Sequence, residues 1–174
     1  MVYRTTRINP YVLGGTDSAY DYIGVIFRLT FLAVVGVIIL FSLFSGFYEY
    51  AVPINWLERD FVRWFGLVLL FGSLVWTAIA QMQMGASWRI GIDKKNQTEL
   101  VEKGLFTVSR NPIFLGMRLA LIGFFLTIPN AVTLLTMVLG DVLMQIQVRL
   151  EEEHLRNLHG EKYAEYCGKV RRWI

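Results

Sequence analysis

Two short polar segments in the C-terminal half of the chain contain residue types that form charged binding sites. The first segment includes Arg110 and Asn111, and the second includes Arg149 and Glu152. An arginine can bind a carboxylate through two parallel hydrogen bonds, and an asparagine can both donate and accept them. A glutamate accepts hydrogen bonds from ammonium groups and hydroxyls. These four side chains are therefore the first candidates for binding and catalysis.

The two polar segments are separated by apolar residues with Pro129 and Asn130 at their middle. This pair indicates a tight turn between two antiparallel helices, residues 113–128 and 131–148. Such a hairpin returns the second polar segment to the membrane face at which the first one lies. The sequence therefore predicts a single polar site at a membrane surface.

The composition is that of a membrane protein. Hydrophobic residues make up 55% of the 174 residues and charged residues 18%, whereas roughly 25% of a soluble domain is charged. Residues 29–48 and 61–80 each approach the ~20 apolar residues that cross a bilayer. With the hairpin they predict an all-α integral membrane protein with about four transmembrane helices. We expect one domain, 1–174, in which 1–80 holds a lead-in with the first two spans and 81–174 holds the core of the site.

The last part of the chain predicts a short amphipathic helix. The fourth span is expected to continue past Val148 into charged residues and to stop or bend at Gly160. Tyr163 and Tyr166 follow three residues apart, so they share one helical face. We expect this interfacial helix to lie with that face against the membrane surface.

Basic residues distinguish the two membrane faces. Four spans place the N-terminus, the 81–111 connector and the C-terminus on one side, which holds most of the Lys and Arg residues, while Arg59 and Arg63 lie on the other. The basic side is expected to be cytosolic, so we expect a bacterial cell-membrane protein with both termini in the cytosol. The net charge of +3 then reflects topology and anionic lipid headgroups, and no nucleic-acid partner is expected.

Arg118 and Asp141 are charged residues inside the predicted hairpin helices. Each lies about eleven residues from the turn, so both reach a similar depth, roughly 17 Å from the tip. Intramembrane charges face a partner or a water-filled cavity. We therefore expect the two side chains to lie near each other, either as a structural pair or as part of the lining of a substrate cavity.

A polar stripe continues along the predicted fourth span. Asp141, Gln145, Arg149 and Glu152 are spaced by four, four and three residues, so they share one helical face. This face is either the wall of a polar pocket that opens toward the cytosol or a solvated face beside the membrane.

Two groups of short motifs lie in order over residues 81–172. The first group comprises Gly85-Ala86-Ser87-Trp88, Leu100-Val101, Gly104-Leu105-Phe106 and Arg110-Asn111-Pro112-Ile113-Phe114-Leu115-Gly116. The second comprises Arg149, Glu151-Glu152, Leu155, Gly160, Tyr163 and Tyr166. In order and spacing the two groups together resemble the isoprenylcysteine carboxyl methyltransferase family, which is related to membrane phospholipid N-methyltransferases.

The resemblance implies an integral-membrane methyltransferase that uses S-adenosylmethionine and a lipid-like or isoprenoid acceptor. It assigns Arg149 and Glu152, as the catalytic pair, to the point where cofactor and acceptor meet. The residues around the cofactor would be Leu100, Gly104, Phe106, Arg110, Asn111, Pro112, Phe114, Leu115, Gly116 and Tyr163. The substrate cavity would be lined by Trp88, Arg118, Asp141 and Gln145.

The sequence departs from the commoner family pattern at two positions. Asn111 stands where His is usual, and Phe114 stands where Tyr is usual. Asparagine forms hydrogen bonds but does not titrate, so it cannot act as a general base. A carboxylate acceptor needs no base, whereas an ammonium acceptor must first lose a proton. This slightly favours O-methylation of a carboxylate, although Glu152 could serve as a base.

Two other classes of function fit parts of the pattern. A sterol-reductase-type membrane oxidoreductase would use NADPH. It would need extra basic residues for the nucleotide phosphates, and the connector offers only Arg89, Lys94, Lys95 and Lys103. A small transporter subunit or a membrane scaffold would use the polar stripe as a pathway or as helix contacts. No Cys, His and Asp residues share metal-ligand spacing, so we expect no metal. Titration with S-adenosylhomocysteine and NADPH separates the three classes, because a scaffold binds neither.

Overall fold

The computed structural model describes residues 19–85 and 100–174, and all regular structure within these ranges is helical. The predicted lead-in at the N-terminus and Trp88 lie outside the described residues. Two 3-10 helices, Ser45–Ala51 and Gly104–Thr107, precede the second and third α-helices. The α-helices are α1 (Ala19–Leu43), α2 (Asp60–Met84), α3 (Pro112–Thr127), α4 (Ala131–His159) and α5 (Glu161–Lys169).

Three of these helices have the length and composition of membrane spans: Tyr22–Leu43 within α1, Asp60–Met84 and Ala131–His159. The third predicted span, α3, is a shorter apolar helix. The prediction of an all-α membrane protein with a helical hairpin and an amphipathic C-terminal helix is therefore confirmed.

The first span lies earlier in the chain than predicted. Residues 29–48 were expected to cross the membrane, but α1 ends at Leu43 and a 3-10 helix follows. Gly46 has a low helix propensity. The Tyr48 hydroxyl shares its single proton between Glu58 and, at 3.5 Å, the Pro129 carbonyl, so that it forms a bifurcated hydrogen bond. These bonds hold the chain against the hairpin tip, so the helix does not continue.

The hairpin turns at Pro129 and Asn130, as predicted. The Asn130 side chain accepts a hydrogen bond from the Thr133 N–H at 2.9 Å, and the Thr133 hydroxyl accepts one from the Asn130 N–H at 3.2 Å. This reciprocal capping begins α4 without leaving buried donors unpaired. The loop before α2 lies against the same turn, because the Ile54 N–H donates to the Pro129 carbonyl at 2.9 Å.

Helices α2 and α3 pack through small residues. Gly66 and Ser73 of α2 and Gly123 of α3 are buried. A Cβ on Gly123 would lie 2.7 Å from the Leu70 nitrogen and 2.8 Å from the Gly66 carbonyl oxygen. The two backbones therefore approach as closely as in other membrane helix pairs that meet at glycines.

Helix α4 is longer than the hydrocarbon core of the membrane is thick. Its 29 residues extend ~43 Å, whereas the hydrocarbon core spans ~30 Å. The last turns of α4 therefore project beyond the hydrocarbon at the end of the molecule where α3 begins. This projection brings the charged residues near Glu152 beside the first turn of α3.

Candidate functional site

Glu152 lies at the centre of a buried polar cluster in the projecting part of α4. Only 4% of the residue is exposed. Its Oε1 atom accepts a hydrogen bond from Asn111 Nδ2 at 3.0 Å and pairs with Arg110 Nη2 at 3.3 Å. Its Oε2 atom accepts hydrogen bonds from Arg172 Nε at 3.0 Å and Arg172 Nη2 at 2.8 Å. The expected meeting of the two polar segments is therefore confirmed for Arg110, Asn111 and Glu152.

Local structure before α3 directs Arg110 and Asn111 toward Glu152. The Asn111 N–H donates to the Ser109 hydroxyl at 3.1 Å, and Pro112 occupies the first turn of α3. Arg110 Nη1 donates to the carbonyl oxygens of Cys167 and Val170, each at 3.2 Å. Arg110 is thus fixed both to the end of α5 and to the carboxylate of Glu152.

Arg172 is a site residue that the sequence analysis missed. It lies in the extended segment after α5, and its carbonyl oxygen accepts hydrogen bonds from the Ser109 hydroxyl at 3.2 Å and from Asn111 Nδ2 at 3.3 Å. The hydrogen bonds to Glu152 raise the pKa of the Arg172 guanidinium. The only signal in the sequence was a run of basic residues, which does not indicate a partner.

Tyr163 and Tyr166 of α5 are buried together with Val170, against Leu100 and Leu155. Their shared helical face was expected to lie on the membrane surface, but it packs against the protein instead. The Tyr166 hydroxyl donates to the Phe106 carbonyl at 2.6 Å. The face is buried because Leu100 and the 3-10 turn near Phe106 supply an apolar surface and an acceptor.

The Tyr163 hydroxyl is buried, and among the described residues it has no hydrogen-bond partner. Burial raises the pKa of Tyr163, and the nearby Glu152 carboxylate raises it further. Burial also raises the pKa of Tyr166 to about 12. Both phenols are therefore protonated at neutral pH. Cys167 lies near the Tyr163 hydroxyl and also raises its pKa, but no described residue forms a hydrogen bond of good geometry with this hydroxyl. An unpaired buried hydroxyl is costly without a partner, so it marks a place for a polar ligand.

The two tyrosines provide a matched test. Tyr166→Phe is expected to lower the stability by about 1–2 kcal/mol, because the buried Phe106 carbonyl loses its donor. Tyr163→Phe is expected to leave the stability of the ligand-free protein unchanged or higher, because it removes an unpaired polar atom. Thermal unfolding in detergent measures both variants. Equal losses of stability in the two variants would show that the Tyr163 hydroxyl has a hydrogen-bond partner.

Arg118 and Asp141 form an ion pair between α3 and α4, which confirms their predicted proximity. Trp173, in the segment after α5, lies against Arg118, with the guanidinium carbon 4.5 Å from its ring centroid. The side chains of Arg118 and Asp141 remain 26% and 41% exposed. The segment that supplies Arg172 to the Glu152 cluster thus also covers one side of the intramembrane pair.

Replacing one member of this pair is expected to destabilise the protein more than replacing both. Asp141→Leu leaves Arg118 charged without its partner, so it is expected to be about 2 kcal/mol less stable than the double variant Arg118→Leu/Asp141→Leu. Unfolding curves of the two single variants and the double variant in one detergent measure the difference. Additive losses would show that the two charges do not stabilise each other.

The other predicted site residues divide into three groups. Arg149 is exposed, and its Nη1 donates to the Gln145 side chain at 2.9 Å rather than to Glu152. Gly104 and Gly116 approach α2 closely. A Cβ on Gly104 would clash with the Gln83 side chain, and one on Gly116 would clash with the Thr77 hydroxyl. Residues that are buried or half-buried near the cluster or in α3 are Leu100, Phe106, Pro112, Phe114 and Leu115.

Comparison with known proteins gives one match. The family model described as phospholipid methyltransferase matches residues 61–162, which is more than half of the 174-residue chain. The match begins within α2, so it extends further toward the N-terminus than the motifs at residues 81–172. It confirms the resemblance to this group of membrane methyltransferases. No curated protein and no solved structure matches the chain.

Proposed function

The chain belongs to the phospholipid methyltransferase family, and on that premise we propose that it transfers a methyl group from S-adenosylmethionine to a lipid-like acceptor. The reaction takes place at the cytosolic face of a bacterial cell membrane, with both termini in the cytosol. The observation that supports this most strongly is the buried cluster in which Glu152 meets Arg110, Asn111 and Arg172. This cluster joins the two motif groups at the end of the membrane helices, and the buried Tyr163 hydroxyl lies beside it.

The residues of the cluster fit the chemical groups of this cofactor. A carboxylate such as Glu152 suits an ammonium group, and a guanidinium suits a carboxylate. The free Tyr163 hydroxyl suits a ribose hydroxyl or an adenine nitrogen. Leu100 and Phe106 provide apolar surface beside it. Each polar part of S-adenosylmethionine thus has a complementary side chain among these residues.

When bound, the cofactor supplies an electrophilic methyl group, which bonds to the acceptor's nucleophilic atom as the carbon–sulfur bond breaks and neutral S-adenosylhomocysteine forms. The protein contributes mainly by holding the reacting atoms in line. Glu152 is held ionised by two guanidinium groups, and both of its oxygens are occupied. It is therefore poorly suited to remove a proton from an ammonium acceptor. Together with the non-titrating Asn111, this favours an acceptor that needs no deprotonation, such as a carboxylate.

We assign the acceptor side of the site to Arg118, Asp141, Gln145 and Arg149, which are exposed or partly exposed. An exposed guanidinium at Arg149 can attract an acceptor carboxylate. Arg149→Ala is expected to raise the KM for the acceptor about tenfold while the affinity for S-adenosylhomocysteine stays constant. Steady-state kinetics with a purified acceptor and calorimetry measure the two quantities. A loss of S-adenosylhomocysteine affinity would place Arg149 with the cofactor instead.

Methyl transfer is tested by incubating the purified protein with methyl-labelled S-adenosylmethionine and a total lipid extract. We expect label in the lipid fraction, and mass spectrometry then identifies the acceptor. Alkaline hydrolysis distinguishes the chemistry, because a methyl ester releases labelled methanol whereas an N-methyl group does not. Label that resists alkaline hydrolysis would contradict O-methylation. The absence of label from every lipid would contradict the proposed function.

A further inference from the structure

Arg172 occupies one oxygen of Glu152. Both Nε and Nη2 donate to the Oε2 atom, at 3.0 and 2.8 Å, while Arg110 and Asn111 occupy Oε1. Donors from the described residues thus occupy both oxygens of this carboxylate. A cation that binds to Glu152 must therefore displace one of these three donors.

Of these donors, Arg172 requires the least free energy to move away from Glu152. Its side chain is 35% exposed, whereas that of Arg110 is 12% exposed and also donates to the Cys167 and Val170 carbonyls. Arg172 lies on an extended segment, and its backbone is anchored separately because its carbonyl accepts from Ser109 and Asn111. The guanidinium can therefore turn away from Glu152 while the backbone stays in place.

We propose that Arg172 is a positioning residue that exchanges partners when the cofactor binds. The ammonium group of the cofactor's amino-acid end replaces the Arg172 guanidinium on Glu152, and the released guanidinium binds the adjacent carboxylate of the cofactor. This inference rests on the proposed function. The Arg172–Glu152 ion pair has the same two charges as the amino-acid group of the cofactor. The exchange therefore replaces one internal pair by two pairs with the ligand and leaves no charge unpaired.

The exchange predicts how a ligand without the carboxylate behaves. Decarboxylated S-adenosylhomocysteine keeps the ammonium group, so it must displace Arg172 without offering it a new partner. Wild-type protein is expected to bind it about 10- to 100-fold more weakly than S-adenosylhomocysteine. Without Arg172 there is nothing to displace, so Arg172→Ala is expected to lose affinity for S-adenosylhomocysteine and to bind the decarboxylated ligand as well as the wild type or better.

Calorimetric titration of both ligands into detergent-solubilised wild type, Arg172→Ala and Lys169→Ala tests this exchange. Lys169 is exposed in the last turn of α5, so its variant controls for the loss of one positive charge and is expected to behave as the wild type. Arg172→Lys retains the charge without the fork and is expected to keep part of the preference for the carboxylate. Thermal unfolding checks that each variant is folded.

A preference for S-adenosylhomocysteine that disappears in Arg172→Ala supports the exchange. Equal weakening of both ligands in Arg172→Ala would show that Arg172 only stabilises Glu152, and unchanged affinities would show that it has no part in binding. Either result overturns the exchange while the proposed function stands. If the wild type binds neither ligand, the proposed function fails and the exchange fails with it.

Discussion

Replacing Glu152 with Gln is expected to lower methyl transfer by about 100-fold or more and to destabilise the protein by about 3 kcal/mol. The substitution leaves the guanidinium groups of Arg110 and Arg172 without their shared carboxylate. The Arg110 side chain is only 12% exposed, so water compensates little for the lost charge. The amide group that replaces the carboxylate also carries N–H donors, and these would face the N–H donors of Asn111 and the arginines.

Labelled-methyl assays and thermal unfolding in the same detergent measure the two effects of Glu152→Gln. Glu153→Gln is the matched control, because Glu153 is the next residue of α4 and its side chain is exposed. The control is expected to retain activity and stability. If Glu152→Gln transferred methyl groups at the rate of the control, the cluster would not be the site.

Gly123→Ala is expected to destabilise the membrane bundle by about 3 kcal/mol, because the added methyl group has no space between α2 and α3. Its Cβ would lie 2.7 Å from the Leu70 nitrogen and 2.8 Å from the Gly66 carbonyl oxygen. Both contacts are with backbone atoms, which cannot move aside as a side chain can. The two helices must therefore separate, and the first turn of α3 moves with them.

Gly72→Ala provides the control for this substitution. Gly72 is an exposed residue of α2, and a Cβ there would meet no atom within 4 Å. The change is expected to be neutral or slightly stabilising because alanine favours the helix. Unfolding temperatures in detergent compare the two variants. Equal unfolding temperatures would contradict the close α2–α3 packing.

The sequence predicted those contacts that follow from the geometry of a single turn. Once Pro129 and Asn130 are taken as the tip, Arg118 and Asp141 lie at equal distances from it, and their pairing follows. The same turn brings the segment with Arg110 beside the segment with Glu152. The sequence also predicted the continuation of α4 into its charged end and the stop at Gly160. Both are local properties, so residue spacing and helix propensity were sufficient to predict them.

The sequence did not predict contacts that depend on how irregular segments fold back. Arg172 and Trp173 follow α5 in an extended segment whose course has no periodic signal. The face of Tyr163 and Tyr166 was assigned to the membrane because amphipathicity does not distinguish lipid from an apolar protein surface. The end of α1 was misplaced because tertiary hydrogen bonds of Tyr48 override a continuous apolar run.

Calorimetric titration of S-adenosylhomocysteine into the purified wild type and Glu152→Gln tests the central claim, that the Glu152 cluster binds the methyl-donor cofactor. We expect one bound ligand per chain in the wild type, no measurable binding by Glu152→Gln, and no binding of NADPH by either protein. Binding of NADPH in place of S-adenosylhomocysteine, or equal binding of S-adenosylhomocysteine by both proteins, would contradict it.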